Sequence, residues 1–421
     1  MKYPLLGLLC IITVIAYAQR MALSAPTKVI ESELDLGPES MGFVMAVWFW
    51  GYAAMQLPAG WVADRLGSWR SLILFSVTWS VVTAITSFAT GFTGLVLLWG
   101  LMGCTQAGLF SCCTKSIGAT FPRTSQAFAS GVLAACMGLG AAVAQWLTAQ
   151  LLVQFTWQEI LVIYAVPGLI WAMAFGLLAR TWEAGIPDAN ARLEAVQVVA
   201  EPPSRSGSWT KLATDTQMQL LCGQQFLRAA GVAFFYTWFP RYLKETRGIT
   251  EQEAGELAFW PPLAGMAGGL LGGIASEWIL RNTGNSRLAR QGMACLAMLV
   301  CAVVAVGAYF TTNTSVAVVL LCIGCFCGVA GGVSGYAVAI SYGGARVATV
   351  FATMNMSGNI GAGLFPFVVG WMVAMTGNWH SVLLLFGGLF LASAACWALL
   401  NPVGTLYPER NSSETSDDDA S

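Results

Sequence analysis

The chain has 421 residues, 57% of them hydrophobic and only 10% charged, with a net charge of −1 and a mean hydropathy of +0.67. A soluble domain carries about a quarter charged residues, so this composition excludes a water-soluble globular protein and points to an integral membrane protein. The near-zero net charge offers no basic surface for nucleic acid. All twelve cysteines lie in apolar stretches, as small hydrophobic side chains rather than a disulfide framework. "CIGCFC" (322–327) has no partnering His or carboxylate, so neither a metal site nor a cofactor is expected.

In chain order, apolar runs fall near 4–24, 41–62, 71–90, 94–118, 126–152, 159–180, 217–243, 255–278, 291–310, 315–341, 347–375 and 380–400. Each is long enough to cross a hydrocarbon core about 30 Å thick as a helix. The first has signal-peptide features, with Lys2 before an apolar run and "AYA" before Gln19. Its length and the eleven runs that follow favour a retained first span. That span ends in "IAYAQRMALS" (15–24), where Tyr17, Arg20 and Ser24 share one helical face. Tyr52 and Gln56 stack on the second span, Gln224 and Arg228 on the seventh, and Asn355 and Asn359 on the eleventh. Residues 181–215 form the one long polar connection and divide six spans from six. The tail 404–421 is acidic, polar and expected to be disordered.

Lys and Arg set the orientation. Fourteen fall in one set of alternating loops. Four, Lys28, Arg241, Lys244 and Arg247, fall in the other set. Both termini are therefore expected in the cytoplasm. The remaining two, Arg20 and Arg228, lie within spans. The halves also echo each other: "GWVAD" (60–64) with "GIASE" (273–277), and "MGLGAA" (137–142) with "SGNIGA" (357–362). Internal repeats of this kind are typical of secondary transporters.

The stretch "GYAAMQLPAGWVADRLGSWR" (51–70) is the most specific. Its Gly-x-x-x-Asp-Arg-x-Gly-x-x-Arg pattern between spans two and three resembles the signature loop of the major facilitator superfamily. The resemblance implies that Gly60, Asp64, Arg65, Gly67 and Arg70 form a conformational latch between two bundles. "QRMALSAP" (19–26), "GLFSCCTKSI" (108–117), "FYTWFPRYLKETRG" (235–248) and "MNMSGNIGAGLFPFVVG" (354–370) narrow it. Together they resemble the anion:cation symporter family, which includes hexuronate, galactonate and glucarate transporters and phosphate and vesicular glutamate transporters. This implies a midplane site, alternating access and an organic anion as substrate.

The departures from that family matter as much. Its symporting members carry Asp-Arg in span one and an Arg and a Glu in span four. Here the first pair is Gln19-Arg20, and the span-four places hold Trp99 and Gln106. The acids nearest a helix interior are Glu159, Glu256 and Glu277, each close to a span end, and the single histidine, His380, begins the last span. No group within the spans is suited to carry a proton near neutral pH.

The expected fold is all-α: twelve transmembrane helices in two pseudo-symmetric six-helix bundles, 1–180 and 216–403, joined by a cytoplasmic loop at 181–215. The expected function is secondary transport, not enzymatic catalysis. A small organic anion, a carboxylate or sugar acid, would move by exchange or facilitated diffusion. Arg20 and Arg228 would bind its charge, and Tyr17, Tyr52, Gln56, Gln106, Asn355 and Asn359 would hydrogen-bond it. Other roles stay open. Each arginine is also placed to snorkel or to bond backbone carbonyls. The transporter would alternatively be proton- or sodium-coupled, or the protein a membrane ligand sensor. It is expected to act as a monomer in a bacterial inner membrane, with the lipid bilayer and the anion as its partners.

Overall fold

The computed structural model describes residues 2–121, 123–183, 208–344 and 347–407, and there is no β-strand among them. The first half contains α1 (Lys2–Met21), α2 (Thr27–Leu34), α3 (Pro38–Leu66), α4 (Ser68–Thr86), α5 (Phe92–Gln106), α6 (Gly108–Thr120), α7 (Arg123–Leu151) and α8 (Trp157–Glu183). After α9 (Ser208–Thr214), the second half contains α10 (Thr216–Thr237), α11 (Phe239–Arg247), α12 (Glu251–Ala258) and α13 (Trp260–Thr283). A π-helical turn (Arg287–Gly292) leads into α14 (Met293–Phe310), followed by α15 (Thr314–Gly343), α16 (Val347–Thr376) and α17 (Ser381–Leu399).

By length and composition, ten helical stretches among the described residues are able to cross a membrane. The two expected spans outside that set are α3 and α10, which are long enough at 29 and 22 residues. They fall short in hydropathy for a physical reason. Gln56, Asp64 and Arg65 lie on α3, and Gln224, Gln225 and Arg228 on α10. The outer surface exposes Leu97, Met173, Leu296, Val303 and Met375, as a surface against lipid should.

Several expected spans are broken where the chain dictates. Span seven divides at Trp238 because Pro240, in the first turn of α11, has no N–H to continue the ladder. Span eight begins as α12 on a Thr250/Glu253 capping box and restarts at Pro261 and Pro262 of α13. Span four breaks at Ala107 into α5 and α6. The loop expected over 181–215 contains α9, and its residues 184–207 lie outside the described residues. Of the tail, 404–407 pack on the bundle, with the Leu406 N–H donating to the Tyr342 carbonyl at 2.8 Å. The rest of the tail, 408–421, lies outside the described residues.

One buried apolar cluster runs through both halves, from Met41, Trp48 and Trp99 to Phe234, Trp238 and Phe386. The halves meet most closely at the end of the bundle away from the termini. There α3 and α16 touch backbone to backbone. A Cβ on Gly42 would lie 2.4 Å from the Pro366 carbonyl oxygen, and one on Gly370 would lie 2.3 Å from that of Pro38. Gln145 of α7 accepts from the Ser24 hydroxyl at 3.0 Å and donates to the Phe235 carbonyl of α10 at 3.2 Å. Ion pairs complete the closure: Glu31 of α2 with Arg241 of α11, both buried, and Lys28 with Glu245 at 3.0 Å. Arg241 also lies over the Trp238 and Trp379 rings, at 5.4 and 5.1 Å.

Burial pushes the Glu31 carboxyl above the usual carboxylate range, and Arg241 opposes that shift without cancelling it. The pair therefore specifies how the halves dock more than it adds stability. Removing Arg241 leaves Glu31 buried without its partner, which costs about 3 kcal/mol, whereas removing Glu31 leaves Arg241 with Glu245 at 3.8 Å and costs less. Glu31→Leu and Arg241→Met should each lower the melting temperature. The double variant should melt nearer to the wild type than either single variant does. Additive losses would show that the two side chains do not act as a pair.

Candidate functional site

Arg20 occupies the last turn of α1, where the helix C-terminus favours a cation. Its guanidinium carbon lies 3.8 Å from the centroid of the Trp48 ring, 4.8 Å from Phe49 and 5.3 Å from Tyr17. Aromatic faces partly replace the lost hydration of a cation. No carboxylate pairs with Arg20 among the described residues, and its Nε is buried without a hydrogen-bond partner. A small cavity opens beside it, lined by Arg20, Ser24, Trp48 and Trp99 of the first half and Tyr236 and Thr237 of the second.

The expected polar residues divide into two groups. Tyr17 and Tyr52 belong to the Arg20 cluster. Tyr52 stacks on Trp48 with centroids 5.2 Å apart, and Gln56 is within reach of its hydroxyl. Tyr236 of the second half lines the same cavity as Arg20 and packs with Tyr17 against Met21, Ala141 and Ala144, and Tyr336 lies against the Phe351 ring. Sequence reasoning did not single out either tyrosine. The available signal was Tyr236 at two turns beyond Arg228 on the same helix.

Gln106, Asn355 and Asn359 make contacts of a different kind. Gln106 is buried and donates to the Ala16 carbonyl at 2.8 Å, tying α5 to α1. Asn359 turns its amide back onto the Asn355 carbonyl of its own helix at 3.0 Å. Ser24 lies beyond the end of α1, so it reaches the cavity from a turn rather than from the helical face read in the sequence. Arg228 is buried against α15 and donates to the Gly328 carbonyl at 3.3 Å. Its side-chain partner is Gln225, not Gln224, whose own amide donates to the Leu221 carbonyl at 2.9 Å.

Gln19 is fully buried. Its amide nitrogen donates to the Tyr164 carbonyl at 2.7 Å and to the Ser80 hydroxyl at 3.3 Å. Both amides that replace the acids of the resembling symporters, Gln19 and Gln106, thus act as hydrogen donors. An ionised carboxylate has no hydrogen to give, whereas a protonated one does. Each amide therefore does the work of a carboxyl that is permanently protonated.

At the signature loop, α3 ends at Leu66 and Gly67 turns the chain with φ 82°, a conformation that favours glycine. Arg65 lies over the Trp61 ring at 3.9 Å, and there is open space around Gly60. Lys115 donates to the Ala63 carbonyl at 3.2 Å, covering the end of α3. Arg70 is exposed in the first turn of α4, and the side chain of Asp64 lies outside the described residues.

The Major Facilitator Superfamily profile matches residues 9–341. The chain belongs to that superfamily. It is a multi-pass membrane transporter rather than an enzyme. The relatives are similar over nearly their whole length. The probable sulfoacetate transporter SauU of Cupriavidus necator is 26% identical, with 96% of this chain and 95% of that protein covered. The probable galactarate/D-glucarate transporter GudP of Bacillus subtilis is 28% identical over 95% of this chain and 91% of that one. The hexuronate transporter of Bacillus subtilis is 27% identical over 96% and 95%. These relatives agree with the anion:cation symporter resemblance. A bacterial homologue of the lysosomal transporter Spinster, solved inward-facing and occupied, has a TM-score of 0.71 at 18% identity, covering 95% of this chain and 94% of that one. It confirms the two-bundle fold.

The donor role of Gln19 has a measurable consequence. In Gln19→Glu the ionised carboxylate has no hydrogen to give to the Tyr164 carbonyl, whereas the protonated acid has one, so the variant is more stable at low pH than at high pH. The variant should lose about 1–3 kcal/mol on going from about pH 5 to about pH 8. The wild type should show no matching drop in melting temperature.

Proposed function

We propose that this transporter moves a small organic anion, a carboxylate or sugar acid, by alternating access, and works as an exchanger or facilitator. The carrying observation is Arg20, a guanidinium without a carboxylate partner beside a cavity built from both halves. Such a charge calls for an anionic ligand. The printed names of the relatives, sulfoacetate, galactarate/D-glucarate and hexuronate transporters, are all of small organic anions. Tyr17, Tyr52, Gln56 and Tyr236 surround the anion in this reading, and Arg228 supplies a second positive charge. Gln106, Asn355 and Asn359 support the helices that form the site. The α3–α4 turn with Gly60, Asp64, Arg65, Gly67 and Arg70 serves as the latch.

If both termini lie in the cytoplasm of a bacterial cell, as the Lys and Arg distribution argues, the closed end of the bundle faces outward and the site opens inward. Gln19 and Gln106 support an uncoupled mechanism, since neither amide releases a proton. An anion entering alone moves against a negative-inside potential at about 2.3 kcal/mol per charge per 100 mV. Charge-balanced exchange removes that cost.

Arg20→Gln keeps a polar side chain and removes the charge. It should weaken binding of galactarate by about 2–4 kcal/mol, the scale for a desolvated charge-assisted contact. The uncharged galactitol should be affected much less, and equal losses for the two would assign Arg20 a structural role. In proteoliposomes at zero membrane potential, an inward proton gradient should not drive uphill galactarate uptake. Galactarate loaded inside should accelerate uptake from outside. Proton-driven accumulation would instead establish the symporter reading.

A further inference from the structure

Two aliphatic hydroxyls line the cavity beside Arg20, one from each half. Ser24 follows the end of α1, and Thr237 ends α10. They are 213 positions apart, the same spacing as "GWVAD" (60–64) and "GIASE" (273–277), so the internal repeat puts them at matching places. Both are buried, at 4% and 5% exposure.

A hydroxyl has one hydrogen to give and two lone pairs that accept. Ser24 has two acceptors for its single hydrogen, the Met21 carbonyl at 2.8 Å and Gln145 Oε1 at 3.0 Å. The second acceptor is fixed from its far side. Gln145 Nε2 donates to the Phe235 carbonyl of α10 at 3.2 Å, and only the amide nitrogen has hydrogens, so the amide oxygen points at Ser24. Turning the Ser24 hydrogen into the cavity would leave this buried oxygen without its donor, which is costly. Thr237 gives its hydrogen to the Ala233 carbonyl one turn back, at 2.8 Å. The Trp48 indole N–H, on the same wall, is spent on Met102 Sδ at 2.9 Å. The cavity thus places Arg20 and Tyr236 for the anionic group, and at Ser24 and Thr237 it presents lone pairs to whatever adjoins that group.

A lone pair calls for a hydrogen on the ligand. An ammonium would supply one, but Arg20 repels it. A methylene has no polar hydrogen to give. A hydroxyl has one and adds no charge. We propose that Ser24 and Thr237 determine specificity by accepting hydrogen bonds from substrate hydroxyls next to the acid group, and so discriminate against acids without them. Gln145 acts through Ser24 as a positioning residue, because it holds the serine as an acceptor while anchored to the opposite half. This rests on the anion-transport reading above and adds to it which anions the cavity selects and through which residues.

The test compares galactarate with adipate, which has the same six-carbon chain and the same two carboxylates but no hydroxyl. Binding of each to the purified full-length protein is measured at neutral pH. The wild type should favour galactarate by at least about ten-fold, as expected for two neutral hydrogen bonds. Sulfoacetate, with an acid group at each end of one methylene and no hydroxyl, should bind no better than adipate. Ser24→Ala and Thr237→Val remove one hydroxyl each at nearly constant volume. Each should lower galactarate affinity by about three- to ten-fold and leave adipate within about two-fold. Adipate binding therefore reports that a variant is folded, and if one variant does not fold, the other serves. A wild type that binds galactarate and adipate equally would overturn the assignment and leave anion transport standing. So would variants that lose both anions to the same extent, or that keep the full preference. A wild type that binds none of galactarate, adipate and sulfoacetate would overturn both.

Discussion

A guanidinium inside a helical bundle with no carboxylate beside it among the described residues must be solvated by something, and Arg20 is solvated by three aromatic faces. That constraint organises the site. Trp48 and Phe49 come from α3, so α1 and α3 are held in register by the cation between them. Tyr52 stacks on Trp48 in turn and carries the polar surface one turn further along α3. The open side of this arrangement faces Tyr236 and Thr237 of the other half. The cation therefore lies beside a cavity that both halves line, where the proposed anion would meet it.

The buried amides show the same economy from the other direction. A polar group in a membrane protein is costly unless it is bonded, and backbone carbonyls at helix contacts are the acceptors at hand. Gln19, Gln106 and Gln145 each donate to a carbonyl of another helix. Each amide thus gives a hydrogen that an ionised carboxylate in its place would lack. Gln225 in turn accepts from Arg228 as a neutral amide.

The two halves are joined by contacts of three kinds at one end: backbone against backbone at Gly42 and Gly370, the Gln145 bridge, and the Glu31–Arg241 pair. The glycine contacts fix the distance between α3 and α16, whereas the ion pair fixes their register with α2 and α11. Buried ion pairs are better at specifying an arrangement than at stabilising it. A contact of that kind suits a closure that has to open again.

The sequence by itself determined the architecture. Composition, the lengths of the apolar runs and the 51–70 signature all reflect a solvent that demands closed backbone hydrogen bonding, and such demands are local and periodic. It also marked Arg20 and Arg228, since a charge in an apolar run stands out wherever it sits. Only the tertiary structure decided what those charges meet. Trp48 lies 28 positions after Arg20, and Gly332 lies 104 positions after Arg228, separations that carry no periodic signal. The partner of Arg228 is Gln225 rather than Gln224, although both lie about one turn away, because Gly358 of α16 makes room for Gln225 while Gln224 packs against Gly335 of α15. Gln106, expected from the sequence as a ligand residue, donates to the Ala16 carbonyl, because hydrogen-bond partners depend on how whole helices dock and not on which residue a chain offers.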